Sequence, residues 1–65
     1  MTSNTKKQLR TAQRMLQDGI DILRVALIPS VDKDMVSTLL VEAEIRATDA
    51  STLLANIVNK MEGGE

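Results

Sequence analysis

The sequence contains no cysteine, no histidine and no phenylalanine, tyrosine or tryptophan. Without cysteine there is neither a disulfide to staple a small fold nor a thiolate to hold zinc, and without histidine the other usual zinc ligand is missing too. Nucleophile and base pairs built on these residues are excluded with them, and no glycine-rich phosphate loop or metal-binding helix motif takes their place. Lacking aromatic rings, the core must be assembled from Leu, Ile, Val, Met and Ala. These absences lead to the expectation of a non-enzymatic protein with no cofactor and no bound metal.

Long apolar runs are also missing. No stretch approaches the ~20 residues of a membrane span, and Arg10, Arg14, Asp18 and Asp21 interrupt every candidate for the apolar part of a signal peptide. A basic amphipathic helix lying on a membrane ordinarily carries Trp or Phe, which are absent here. The expectation is a soluble, cytoplasmic protein with no membrane contact, and the lack of cysteine is compatible with that compartment.

Helix breakers are scarce: one proline, Pro29, and three glycines, Gly19, Gly63 and Gly64. Thr5 and Gln8 fit a capping box, with Asn4 an equally good cap one residue earlier. A first helix is expected over about residues 5–28, stopped by Pro29, which lacks an amide and pushes Ile28 from helical dihedrals. Ser30, or alternatively Asp32, caps a second helix over about 31–61, with Asp34 near its positive end and Gly63 and Gly64 closing it. The fold class expected is all-α: a single domain over 1–65, two antiparallel helices joined as a hairpin.

Both helices carry a broad apolar stripe at helical spacing. In the first it runs through Leu9, Ala12, Met15, Leu16, Ile20, Ile22, Leu23, Ala26 and Leu27; in the second through Met35, Val36, Leu39, Leu40, Ala43, Ala47, Ala50, Leu53, Leu54, Ile57, Val58 and Met61. One antiparallel partner covers a narrow seam, so a lone hairpin leaves the flanks of both stripes in water. A 65-residue domain buries only ~60% of its unfolded surface, and oligomerisation is the common remedy left to a chain without disulfides or metal. A homodimer forming a four-helix bundle is therefore expected, with Leu9, Leu16, Leu23, Leu40, Ala43, Ala47, Ala50, Leu54 and Ile57 in its core.

With the turn centred on Pro29 and Ser30, residue i faces about 59 − i across the hairpin. Leu16 then meets Ala43, Ala12 meets Ala47, Leu9 meets Ala50 and Gly19 meets Leu40, so that large faces small at most layers. Gly19 costs about 1 kcal/mol relative to alanine inside a helix, and close packing is its expected reason.

Charge divides the chain in two although its formal net value is only −1. Up to Pro29, Lys6, Lys7, Arg10, Arg14 and Arg24 outweigh Asp18 and Asp21, for +3; from Ser30 on, seven carboxylates outweigh Lys33, Arg46 and Lys60, for −4. Glu42, Glu44 and Asp49 do not form a catalytic cluster, since Glu42 and Glu44, two apart, point to different sides of a helix. Lys7, Arg10, Arg14 and Arg24 line the outer side of the first helix, a strip that a symmetric dimer doubles, and RNA or DNA is the alternative partner it suggests.

In length and layout, over the whole chain, the sequence resembles the repressor-of-primer family, plasmid RNA-binding proteins built as dimers of helical hairpins. The resemblance is one of architecture and carries no sequence motif. It implies RNA contacts on the paired first helices, where Gln13, Arg14 and Gln17 would supply the polar part; the family's exposed aromatic has no counterpart here.

Two apolar residues fall outside the stripe altogether. Val41 and Ile45 are neighbours on the back of the second helix, flanked by Thr38, Thr48 and Thr52, while Val25 and Ile28 lie off the stripe of the first. A paired aliphatic ridge suits the docking of another helix, so Val41 and Ile45 are the candidate contacts for a protein partner. The function expected is that of a small helical interaction protein: an adaptor, an inhibitor or an assembly subunit.

Overall fold

The computed structural model describes residues 3–63 and consists of two helices, α1 (Ser3–Ala26) and α2 (Lys33–Glu62), packed against each other as a hairpin. The molecule is a rod, 50 × 15 × 11 Å along its principal axes. Its radius of gyration is 15.1 Å, against about 11 Å for a compact domain of this length.

The connection is longer than the sequence suggested, six residues from Leu27 to Asp32, and is still centred on Pro29 and Ser30. The Leu27 amide makes a last helical bond to the Leu23 carbonyl at 3.0 Å, the Ile28 amide donates to Val25 at 3.1 Å in a tighter turn, and Pro29 has no amide to continue. The Val31 amide then donates to the Ile28 carbonyl at 3.1 Å. This closes a β-turn with Pro29 in its second position, where a fixed φ is suited. Ser30 is consumed by that turn, and Asp32 caps α2 instead: its backbone is extended, and its carboxylate accepts the Met35 amide at 2.8 Å.

At the chain ends, α1 already includes Ser3, so Thr5 lies within the helix and is buried rather than serving as its cap. The Gly63 amide donates to the Asn59 carbonyl at 3.0 Å and closes α2. Gly64, the second glycine expected there, lies outside the described residues.

The seam between the helices is made of small residues at heptad spacing. Thr5, Ala12, Gly19 and Ala26 recur every seven positions in α1, and Val36, Ala43, Ala50 and Ile57 do so in α2. Of these, Thr5, Ala12, Ala43, Ala50 and Ile57 are buried, the only described residues that are. The second seam position of each heptad, Gln8, Met15 and Ile22 in α1 and Leu39, Arg46 and Leu53 in α2, is half-buried. This is a two-stranded antiparallel seam in which small side chains let the backbones approach.

Its register differs from the expected one. Gly19 lies beside Ala43, not Leu40: a Cβ built on Gly19 would stand 3.8 Å from the Ala43 carbonyl oxygen. Carrying that offset along both helices places Ala12 level with Ala50 and Thr5 level with Ile57, which matches the residues that are buried. Small therefore faces small where Gly19 meets Ala43 and Ala12 meets Ala50, and Leu16 and Leu9, the leucines expected to meet Ala43 and Ala50, are turned aside.

Candidate interaction surfaces

The displaced leucines define the first surface. In α1, Leu9, Leu16 and Leu23 each occupy the heptad position next to the seam, and in α2 the same position holds Leu40, Ala47, Leu54 and Met61. In an antiparallel pair these positions fall on the same side of the rod. Leu16 is 44% exposed and Leu40 49%, with Leu23, Ala47 and Met61 also exposed and Leu9 and Leu54 half-buried. Ile20 and Val58, also exposed, border the same side. The opposite side of the seam carries Asn4, Thr11, Asp18, Glu42, Asp49 and Asn56, with only Val25 and Met35 apolar.

One side of the rod is thus an apolar face and the other is polar. Of the residues expected in a bundle core, the hairpin itself buries Ala43, Ala50 and Ile57, half-buries Leu9 and Leu54, and leaves Leu16, Leu23, Leu40 and Ala47 on this face.

The polar side holds a feature that the sequence reading did not single out. Arg46 occupies a seam position, and its guanidinium reaches back to the Glu42 carboxylate at 2.7 Å and to the Glu42 carbonyl at 3.1 Å. Spacing of four between Glu and Arg is the available signal, and such a pair contributes ~0.3–0.5 kcal/mol on a helix surface. Glu42 is thereby engaged as a structural ion pair.

A second surface is the back of α2. Val41 is 55% and Ile45 49% exposed, and Thr38, Thr48 and Thr52 around them are exposed as well. Both aliphatics point away from the seam and from the apolar face, as their heptad positions require.

The third is the outer side of α1, where Lys7, Arg10, Arg14 and Arg24 are all exposed. Arg24 stands 3.9 Å from the Asp21 carboxylate, which also accepts the Gln17 side-chain amide at 3.0 Å. Among the described residues Lys7, Arg10 and Arg14 form no ion pair. The basic strip is thus concentrated in the first half of α1 and interrupted by Asp18 and Asp21 beyond it.

Among the described residues there is no group of three or more His, Cys, Asp or Glu placed to hold a metal ion, and no helix long and apolar enough to cross a membrane. No family model matches the chain, and neither does any curated protein or solved structure.

Proposed function

We propose that the chain is a small non-enzymatic helical interaction protein, an adaptor, inhibitor or assembly subunit of the cytoplasm, that works as a homodimer of hairpins forming a four-helix bundle. The observation that carries this reading is the apolar face. The hairpin exposes 5010 Å², whereas a globular monomer of its mass would expose about 4,100 Å². The excess, about 900 Å² per chain, follows from the rod shape, and an interface of ~800 Å² per partner would cover a comparable area. Leu16, Leu23 and Leu40 lie where such an interface would form.

In this reading the dimer uses the apolar face and leaves Val41 and Ile45 outward, available to a helix of a different protein. Sedimentation equilibrium at micromolar concentration is the decisive measurement. Two chains per particle are expected, with Leu16→Ala weakening the dimer by about 2–5 kcal/mol if the dimer buries that leucine fully. A stable monomer that keeps its helicity on dilution refutes the bundle. For the outer ridge, a pull-down from the native cell is expected to recover a protein that Val41→Asp with Ile45→Asp no longer retains. Recovery of the chain alone counts against the adaptor role.

A second reading, nucleic-acid binding with RNA preferred, is favoured by one observation: Lys7, Arg10 and Arg14 form an outward basic strip without ion-pair partners among the described residues. It requires a mobility shift that weakens steeply with salt and is lost when Arg10 and Arg14 become Glu. Absence of any shift at low salt ends it.

A further inference from the structure

We infer that the second copy docks face to face with both turns at the same end, so that α1 of each chain lies over α2 of the other. This rests on the homodimer reading above and adds the arrangement. Two flat faces related by a two-fold axis have two ways to stack. An axis along the rod keeps levels and exchanges sides, so α1 covers the partner's α2. An axis across the rod reverses levels and keeps sides, so α1 covers the partner's α1 and α2 the partner's α2.

Shape separates the two. The hairpin register sets Leu16 level with Ala47 to within one residue, near the middle of the rod. With the axis along the rod, Leu16 of each chain meets the partner's Ala47, a large side chain against a small one, twice. Leu23 opposes the partner's Leu40 and Leu9 the partner's Leu54 in the layers on either side. With the axis across the rod, the middle leucines crowd each other on the α1 side while the middle alanines leave a gap on the α2 side. That combines overpacking with a void in one layer.

Charge favours the same choice. Over its described range α1 carries Lys6, Lys7, Arg10, Arg14 and Arg24 against two aspartates, and α2 carries five carboxylates against three cations. The first arrangement gives every helix neighbours of opposite net charge, both within its chain and across the interface. The second sets the acidic helices side by side, and the basic ones likewise, a juxtaposition that disfavours docking.

The chain has no cysteine, so Ser30→Cys gives a single labelling site at the exposed tip of the turn. Pulsed dipolar spectroscopy on the nitroxide-labelled full chain is expected to give a distance under about 30 Å, since neighbouring helices in a bundle are about 8–10 Å apart. Turns at opposite ends of the rod would be separated by its 50 Å length. A long distance in a sample that sediments as a dimer overturns the arrangement and leaves the dimer standing. No dipolar coupling in a sample that sediments as a monomer overturns the dimer itself, and the arrangement with it.

Discussion

Gly19 sits against the backbone of Ala43, yet the approach is not so close that only glycine fits: a methyl group at position 19 would lie 3.8 Å from the Ala43 carbonyl oxygen, an ordinary van der Waals distance. The close packing expected to require glycine there is therefore absent. Gly19→Ala is expected to stabilise the hairpin by about 0.5–1 kcal/mol, because alanine loses less backbone freedom on folding and fills the space beside α2. The check is thermal melting followed by circular dichroism at fixed concentration, where a rise of several degrees is expected for so small a domain. A fall in the midpoint would mean that the helices approach more closely than this register allows.

Ala50 shows the opposite case. It is fully buried, 0% exposed, and level with Ala12, the other near-completely covered alanine. Replacing it with leucine forces the helices apart at that layer, and a cost of about 1–3 kcal/mol is expected for overpacking. Urea unfolding should show the midpoint falling for Ala50→Leu. The same substitution at exposed Ala55, five residues further along the helix, should leave it within ±0.5 kcal/mol. Equal effects at the two sites would contradict the alanine seam.

Gln8 is the polar residue the seam handles least well. Its Oε1 is buried and has no hydrogen-bond partner among the described residues, one heptad before Met15 at the same seam position. A buried acceptor left unmade costs about 1–3 kcal/mol. Gln8→Leu removes that penalty and adds apolar contact beside the half-buried Leu53 and Leu54, so a higher urea midpoint with unchanged slope is expected. A lower midpoint would show that the amide is satisfied in solution and that its contact matters to the hairpin.

Much of the hairpin could be read before its structure. The existence of two helices follows from the apolar spacing together with the single proline, and the moderate error at the boundaries has a local cause. The turn from Ile28 to Val31 uses Ser30, which leaves the cap to Asp32, already recognised as the alternative. The register error is of another kind. The turn is centred on Pro29 and Ser30 as expected, but assuming that the helices pair symmetrically about it shifted the pairing by three residues and sent Leu16 onto Ala43, although Gly19 is the residue found there. A signal was present: Thr5, Ala12, Gly19 and Ala26 repeat every seven residues, as do Ala43 and Ala50, and a repeat of small residues in both helices marks where backbones meet. The pull of hydrophobicity toward the larger leucines hid it.

Composition and periodicity by themselves determined that this chain is helical, that it turns at Pro29, that its core is aliphatic, and that cysteine- or histidine-based chemistry is closed to it. Those properties depend on side-chain type and on near neighbours along the chain. Tertiary structure decided which part of each wide stripe the other helix covers. Both Ala12 and Leu16 lie on the apolar side of α1, and only the approach of α2 selects between them: it buries the alanine and leaves the leucine half exposed. The choice follows from size, since two helices joined by a six-residue connection meet along their small side chains, and the larger residues are then left on an outer face.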